Sequence, residues 1–161
     1  MTELHGFERT IASEGAEAAA RLGYSIAFAQ TGLQALTLIN GGALVALFTF
    51  VGSAAAVKFD LTALCWAFAF FASGLVCNIL AYLGAYVAQD CYHVVAQYLA
   101  WNAESHALAD IGGADRGALH DPLPLHRRGF VAQMAAMLSA VISLGAFIGG
   151  CGFALSGVVV R

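Results

Sequence analysis

Charged residues are scarce in this chain. Asp, Glu, Lys and Arg make up only 11% of its 161 residues, against about 25% in ordinary soluble domains. Hydrophobic residues make up 60%, and residues 22–57, 61–89 and 129–160 carry no charge at all. Each of these stretches is longer than the roughly 20 residues that a helix needs to cross a bilayer. The composition therefore excludes an ordinary soluble domain and predicts an integral membrane protein.

Paired cysteines and surplus positive charge are also missing. The four cysteines, Cys65, Cys77, Cys91 and Cys151, are scattered singly and form no C-x-x-C pair. This spacing argues against a disulfide framework or a zinc site and favours reduced, packed thiols. The net charge of −3 excludes a generally basic nucleic-acid binder, although a local basic patch is compatible with it.

Catalytic and cofactor motifs are absent from the sequence. It contains no G-x-S-x-G, no H-E-x-x-H, no phosphate-binding glycine loop and no pair of carboxylates within an uncharged stretch. All five histidines lie outside the uncharged stretches, whereas a membrane haem protein needs axial histidines within its spans. We therefore expect no enzyme activity, no catalytic residue, no metal and no cofactor.

The order of charged and uncharged segments predicts an all-α fold. We expect an oligomeric, integral membrane helical bundle with three transmembrane helices and cytoplasmic helical extensions. Its predicted segments are an N-terminal cytoplasmic helix at 1–22, transmembrane helices at 23–53, 61–89 and 128–160, and a cytoplasmic helical extension and loop at 90–127. No turn signal separates the first two segments, so one long helix is expected from about Phe7 to Phe50. Asp60 or Thr62 is expected to cap the second span.

The basic residues predict the orientation of the spans. Five arginines would lie on one side of the membrane, and Lys58 and Arg161 on the other. The positive-inside rule then predicts a bacterial inner-membrane protein with a cytoplasmic N-terminus and a periplasmic C-terminus.

Small residues recur in the second and third spans. In the second span they repeat at every fourth position, at Ala69, Ser73, Cys77, Ala81 and Ala85. The third span carries Gly145-x-x-x-Gly149. Both patterns predict close approach between helices in the membrane.

A polar stripe crosses the first span. Its members recur at spacings of three and four and so share one helical face; they are Gln30, Gln34, Thr37, Asn40 and Gly41. Two interpretations are open. Within one chain, the amides would bond Ser139, Ser143 or Asn78 and fasten the bundle. Around an axis shared by several chains, the stripe would line a pore, and Leu44 and Phe48 would form an apolar constriction that closes by dewetting.

Basic and aromatic residues cluster at the predicted cytoplasmic boundary. The arginines are Arg21, Arg116, Arg127 and Arg128, and Tyr98 and Trp101 lie within a few turns. They would either bind anionic lipid headgroups or hold a polyanion, since arginine charge and aromatic stacking together grip single-stranded nucleic acid.

The motif Asn40-Gly41-Gly42-Ala43, followed by two further spans, resembles that of small three-span bacterial membrane proteins. Within that group the chain is similar to the transmembrane channel effector of Hailong-type nucleotidyltransferase antiphage defence. The resemblance implies an oligomeric ion channel that depolarises the membrane and is held closed by single-stranded DNA oligomers made by the nucleotidyltransferase. We expect membrane lipid, copies of the chain in a homotetramer and such an oligomer as partners. The alternative is a non-catalytic accessory or scaffold subunit of a larger inner-membrane complex.

Overall fold

The computed structural model describes residues 2–53, 60–112 and 119–157 of the chain. Within these ranges the fold is all-α, as predicted, with α1 at Thr2–Ser53, α2 at Leu61–Gly112 and α3 at Leu123–Ser156. Each helix contains a stretch long and apolar enough to cross a membrane, at Ile26–Ser53, Leu61–His106 and Leu123–Ser156. The structure therefore agrees with a membrane protein that has three spanning helices.

The first helix, α1, is continuous from the N-terminal extension into the candidate span. This agrees with the single long helix expected from the sequence. Proline would remove a backbone donor and break the helix, and the sequence places none in this segment. The helix ends at Ser53, directly after Gly52.

The other two helices, α2 and α3, form an antiparallel hairpin. At one end of it, the Asp60 backbone N–H donates to the Gly157 carbonyl at 3.0 Å. The Asp60 carboxylate caps α2 as predicted, because Oδ1 accepts from the backbone N–H of Thr62 at 2.9 Å. This end of the hairpin is therefore closed by backbone and capping hydrogen bonds.

The start of α3 lies earlier in the chain than the predicted boundary at residue 128. The helix begins at Leu123, whose backbone N–H donates to Asp121 Oδ1 at 3.0 Å. Pro122 is the N-cap residue and Pro124 lies in the first turn. The first turn of a helix has no intrahelical partner for its N–H groups, so proline is tolerated there. The two prolines thus mark the start of the helix.

Close packing between α2 and α3 relies on small residues at every seventh position. On α2 the buried members are Ala67, Gly74, Ala81 and Ala88, and on α3 they are Gly129, Ala136, Ser143 and Gly150. A seven-residue repeat stays on the side that faces a neighbouring helix. The contacts are tight: a Cβ built on Gly84 would lie 3.0 Å from that of Ala136.

The four-residue rows predicted from the sequence make this contact only in part. A Cβ built on Gly149 would lie 3.1 Å from the Phe70 ring, so this glycine does approach α2 closely. Ala69 and Ser73, however, are exposed in the chain, and nothing lies within 4 Å of a Cβ built on Gly145. Positions four apart drift around an α-helix, which has 3.6 residues per turn. Only Ala81 belongs to both the predicted row and the observed one.

The helix α1 packs on the hairpin along a narrow edge. Between residues 26 and 53, only the side chains of Asn40 and Leu47 are buried. Leu47 joins an apolar cluster with Leu64, Ala67 and Phe71 of α2. The remaining surface of α1 between residues 26 and 53 is broad, and the hairpin leaves it largely uncovered.

Candidate functional site: a polar junction between three helices

Asn40 links α1 to both helices of the hairpin. Its Nδ2 donates to the Leu36 carbonyl at 3.0 Å and to Ser143 Oγ on α3 at 3.3 Å. The Ser143 hydroxyl in turn donates to the Gly74 carbonyl on α2 at 2.8 Å. Asn40 and Ser143 are both completely buried, so this chain of hydrogen bonds runs through the interior of the bundle.

A second link joins α1 and α2 one helical turn away. Asn78 Nδ2 donates to Thr37 Oγ1 at 2.6 Å and to the Leu33 carbonyl at 2.8 Å. Asn78 is also buried. We call Thr37, Asn40, Asn78 and Ser143, together with the backbone of Gly74, the polar junction.

The polar junction leaves two hydrogen-bond acceptors unused. Within the described residues, neither Asn40 Oδ1 nor Asn78 Oδ1 has a hydrogen-bond partner, and both atoms are buried. A buried polar atom without a partner costs about 1–3 kcal/mol of desolvation. The junction therefore joins the three helices although two of its buried oxygen atoms lack hydrogen-bond donors.

The junction lies at mid-span, where the rest of the α1 surface is apolar. Asn40 is near the middle of the candidate span Ile26–Ser53. Between Thr37 and Thr49 the exposed positions of α1 are Leu38, Ile39, Gly42, Val45, Ala46 and Phe48. The one polar side chain in this stretch, that of Asn40, points into the bundle instead.

The polar stripe predicted as pore lining thus divides into an exposed part and a buried part. The side chains of Gln30 and Gln34 are exposed and form no hydrogen bond with any other described residue. Thr37 is exposed but bonded to Asn78, whereas Asn40 is enclosed within the chain. One interpretation of the stripe is that its amides fasten the bundle within one chain. The hydrogen bond between Asn40 and Ser143 agrees with that interpretation, whereas Gln34 makes no such bond to a described residue. The pore-lining role stays a prediction.

The remaining members of that set lie on the side of α1 next to α2. Gly41 is half-buried, and a Cβ on it would lie 4.0 Å from the Leu75 side chain. Leu44 is half-buried against the apolar cluster. Phe48 is 65% exposed, and its ring meets that of Phe68 edge-on with centroids 4.1 Å apart. Of the predicted constriction, only Phe48 is free to face a neighbouring chain.

At the other end of the hairpin, the two predicted ligand-binding aromatics come together around His120. The Tyr98 ring stacks on that of His120 with centroids 4.6 Å apart. Trp101 meets the same imidazole edge-on at 6.2 Å and is 58% exposed. Arginines 127 and 128 are exposed in the first turns of α3 and border a shallow groove that is otherwise lined by Pro124, Val131, Ala132 and Ala135.

The side chains of two predicted ligand-binding arginines lie outside the part of the chain that the structure describes. Arg116 lies outside the described residues, and so does the side chain of Arg21, although its backbone belongs to α1. The ligand-binding role of the set, including Arg127 and Arg128, stays a prediction.

Sequence reasoning missed the residue that fixes His120. The Asn102 side chain bonds the His120 backbone twice, donating to its carbonyl at 2.8 Å and accepting from its N–H at 3.0 Å. It also missed Gly74, whose place in the junction follows from the seven-residue recurrence of small residues on α2. That recurrence was the available signal for Gly74, whereas nothing in the sequence points to the pairing of Asn102 with His120.

The described residues include no group of three or more His, Cys, Asp or Glu side chains arranged to hold a metal ion. Known proteins give no further assignment: no protein-family model, curated protein or solved structure matches the chain.

Proposed function

We propose that this protein is an ion channel of a bacterial inner membrane, and that its opening depolarises the membrane. The channel is a homo-oligomer, for which we propose four copies of the chain. An anionic ligand on the cytoplasmic side holds it closed. The observation that carries the proposal is the exposure of Gln30 and Gln34 on a helix that is apolar enough to cross a membrane.

Two exposed amides in a spanning helix need polar surroundings. A side-chain amide in hydrocarbon is costly unless it meets a partner or water. The hairpin does not cover these side chains, and neither bonds another described residue. Copies of α1 arranged around an axis would give both amides a water-filled path lined by their counterparts.

The same helix supplies an apolar segment for closing such a path. The exposed residues that follow Thr37 are apolar up to Phe48, the bulkiest of them. A narrow apolar section stops ion flow by excluding water. A polar entrance followed by an apolar section is the arrangement that a gated pore requires.

The closing ligand is proposed to be a single-stranded DNA oligomer. Arg127 and Arg128 offer phosphate contacts, and Trp101 and His120 offer exposed rings on which bases can stack. The resemblance to Hailong-type effectors supplies the identity of the polyanion and the role in antiphage defence. Release of the oligomer would open the channel and depolarise the infected cell.

The channel is tested with the purified full-length protein in liposomes under an imposed potential. The wild type is expected to dissipate the potential, and Gln34→Leu to abolish most of the ion flux because an apolar entrance excludes water. Thr31→Val is the control, since it also replaces an exposed polar residue of α1, outside the predicted stripe. A wild type without flux, assembled with other subunits in its host membrane, would favour the scaffold alternative.

A further inference from the structure

We infer that the polar junction is a latch that holds the proposed channel closed, and that opening requires α1 to separate from the hairpin at Asn40 and Thr37. This inference rests on the proposed channel function and specifies how that channel is gated. It makes α1 the moving part and the α2–α3 hairpin the fixed part.

The hydrogen-bonded attachment of α1 to the hairpin is concentrated at the junction. Among the described residues, the side-chain hydrogen bonds that join α1 to the hairpin are those of Asn40 with Ser143 and of Asn78 with Thr37 and Leu33. The hairpin itself is closed independently, through Asp60 and Gly157 at one end and Asn102 and His120 at the other. Breaking the junction therefore removes the hydrogen-bonded attachment of α1 without opening the hairpin, and the apolar contacts around Leu47 remain.

The latched arrangement leaves a dry surface at mid-span. With Asn40 turned inward, the exposed positions of α1 from Leu38 to Phe48 are all apolar. An ion path bounded by this surface excludes water. Under this inference, the arrangement seen in the structure corresponds to the closed state.

Releasing the latch changes that surface. Two buried amides, those of Asn40 and Asn78, become available to water at mid-span when α1 moves away. Their unpaired Oδ1 atoms gain hydrogen bonds that they lack in the latched state. This gain offsets part of the cost of breaking the three bonds, which makes the junction suited to a reversible switch.

The first test locks the latch covalently. In a full-length protein whose native cysteines are replaced, Thr37→Cys and Asn78→Cys place two thiols where the wild-type side chains are in contact at 2.6 Å. In single-channel recordings, oxidation is expected to lower the open probability at least tenfold, and reduction to restore it. The unit conductance of the remaining openings should equal that of the same variant after reduction, because the cross-link acts on opening and leaves Gln30 and Gln34 in place.

The matched control locks the hairpin instead. Ala63→Cys with Gly157→Cys joins α2 to α3, where the two Cβ positions lie 3.3 Å apart, close to the range of about 3.5–4.5 Å found in disulfides. The inference predicts that this cross-link changes the open probability less than twofold. Equal closure by both cross-links would show that general stiffening, rather than the latch, controls opening.

The second test loosens the latch. Ser143→Ala removes the hydroxyl that joins Asn40 to the Gly74 carbonyl, and we expect the ratio of open to closed time to rise several-fold at unchanged unit conductance. Ser139→Ala makes the same change one turn away on α3, at a half-buried serine outside the junction, and should leave the ratio as in the wild type.

The outcomes separate the latch from the channel. The latch hypothesis is wrong if the wild type conducts and the oxidised 37–78 pair conducts equally. It is also wrong if Ser143→Ala leaves the ratio of open to closed time unchanged. In both cases the proposed channel function still stands. A 37–78 pair that never cross-links contradicts the contact on which the latch rests. A wild type that does not conduct removes the proposed function, and the latch with it.

Discussion

Gly74 on α2 and Asn40 on α1 are fitted to each other at mid-span. A Cβ on residue 74 would lie 2.9 Å from Asn40 Cγ and would overlap Oδ1. Only glycine leaves the space that the Asn40 amide occupies. The contact that buries Asn40 thus depends on the residue type at position 74 as much as on Ser143.

The pairing of Gly74 with Asn40 predicts a large effect for one added methyl group. Gly74→Ala should lower the stability of the purified protein by about 1–3 kcal/mol, because overpacking forces the Asn40 side chain or α1 to shift. Thermal unfolding in detergent measures this. Gly42→Ala is the control: nothing lies within 4 Å of its added Cβ, so better helix propensity should make it neutral or up to about 1 kcal/mol more stable. Equal melting temperatures for the two variants would contradict the contact.

The seven-residue row on α3 predicts that Gly150 cannot be enlarged. A Cβ there would lie 2.6 Å from the Phe71 ring, inside the apolar cluster. Gly150→Ala should therefore cost about 1–3 kcal/mol in the same unfolding measurement. Gly145→Ala, on the same helix with nothing within 4 Å, should cost nothing. If Gly145→Ala proves the more damaging, the four-residue row is the packing surface after all.

The sequence was enough to predict the three helices but not the way they pack. The length of the uncharged stretches predicts the spans, and an aspartate directly before the second stretch predicts its cap. Both are local properties of the sequence. Fourfold spacing of small residues, common in membrane helix pairs, predicts this contact only in part, because most of its small residues recur at every seventh position. Similarly, spacings of three and four grouped Gln34 with Asn40, although they differ in burial. Residue spacing shows which side chains share a helix face, but it does not show which part of that face a neighbouring helix covers.

The double hydrogen bond between Asn102 and His120 predicts a measurable change in backbone protection. Asn102→Ala removes the acceptor of the His120 N–H, and one such hydrogen bond contributes about 1 kcal/mol. Hydrogen exchange at His120 should become about fivefold faster. Gln97→Ala, which removes only a neighbouring side-chain contact with His93, should leave it unchanged. Unchanged exchange in Asn102→Ala would rule out this anchoring role.

The proposed DNA ligand predicts salt-dependent binding through Arg127 and Arg128. Replacing either with Gln should weaken binding of a short single-stranded DNA and flatten its salt dependence by about 0.7 in log–log slope. Gel-shift titration at several salt concentrations measures both effects. Lys58→Gln removes an equal charge from the predicted opposite side of the membrane and should change neither.

A lipid-anchoring role for the same arginines gives a different pattern. The arginine variants would then insert poorly or with altered topology, and the wild type would show no salt-sensitive DNA binding. Such a result would leave the channel without this ligand.

The central claim is that α1 lines an ion path along the flank that carries Gln34. Its most direct test is modification of single cysteines during current recording, in a protein that lacks the native thiols. Gln34→Cys and Phe28→Cys both replace exposed residues, and Phe28 is 84% exposed. Phe28 lies outside the predicted stripe, about 120° around α1 from Gln34. A charged, membrane-impermeant thiol reagent is expected to block the current through Gln34→Cys and leave Phe28→Cys unaffected. Block at position 28 alone, or at neither position, would contradict the claim.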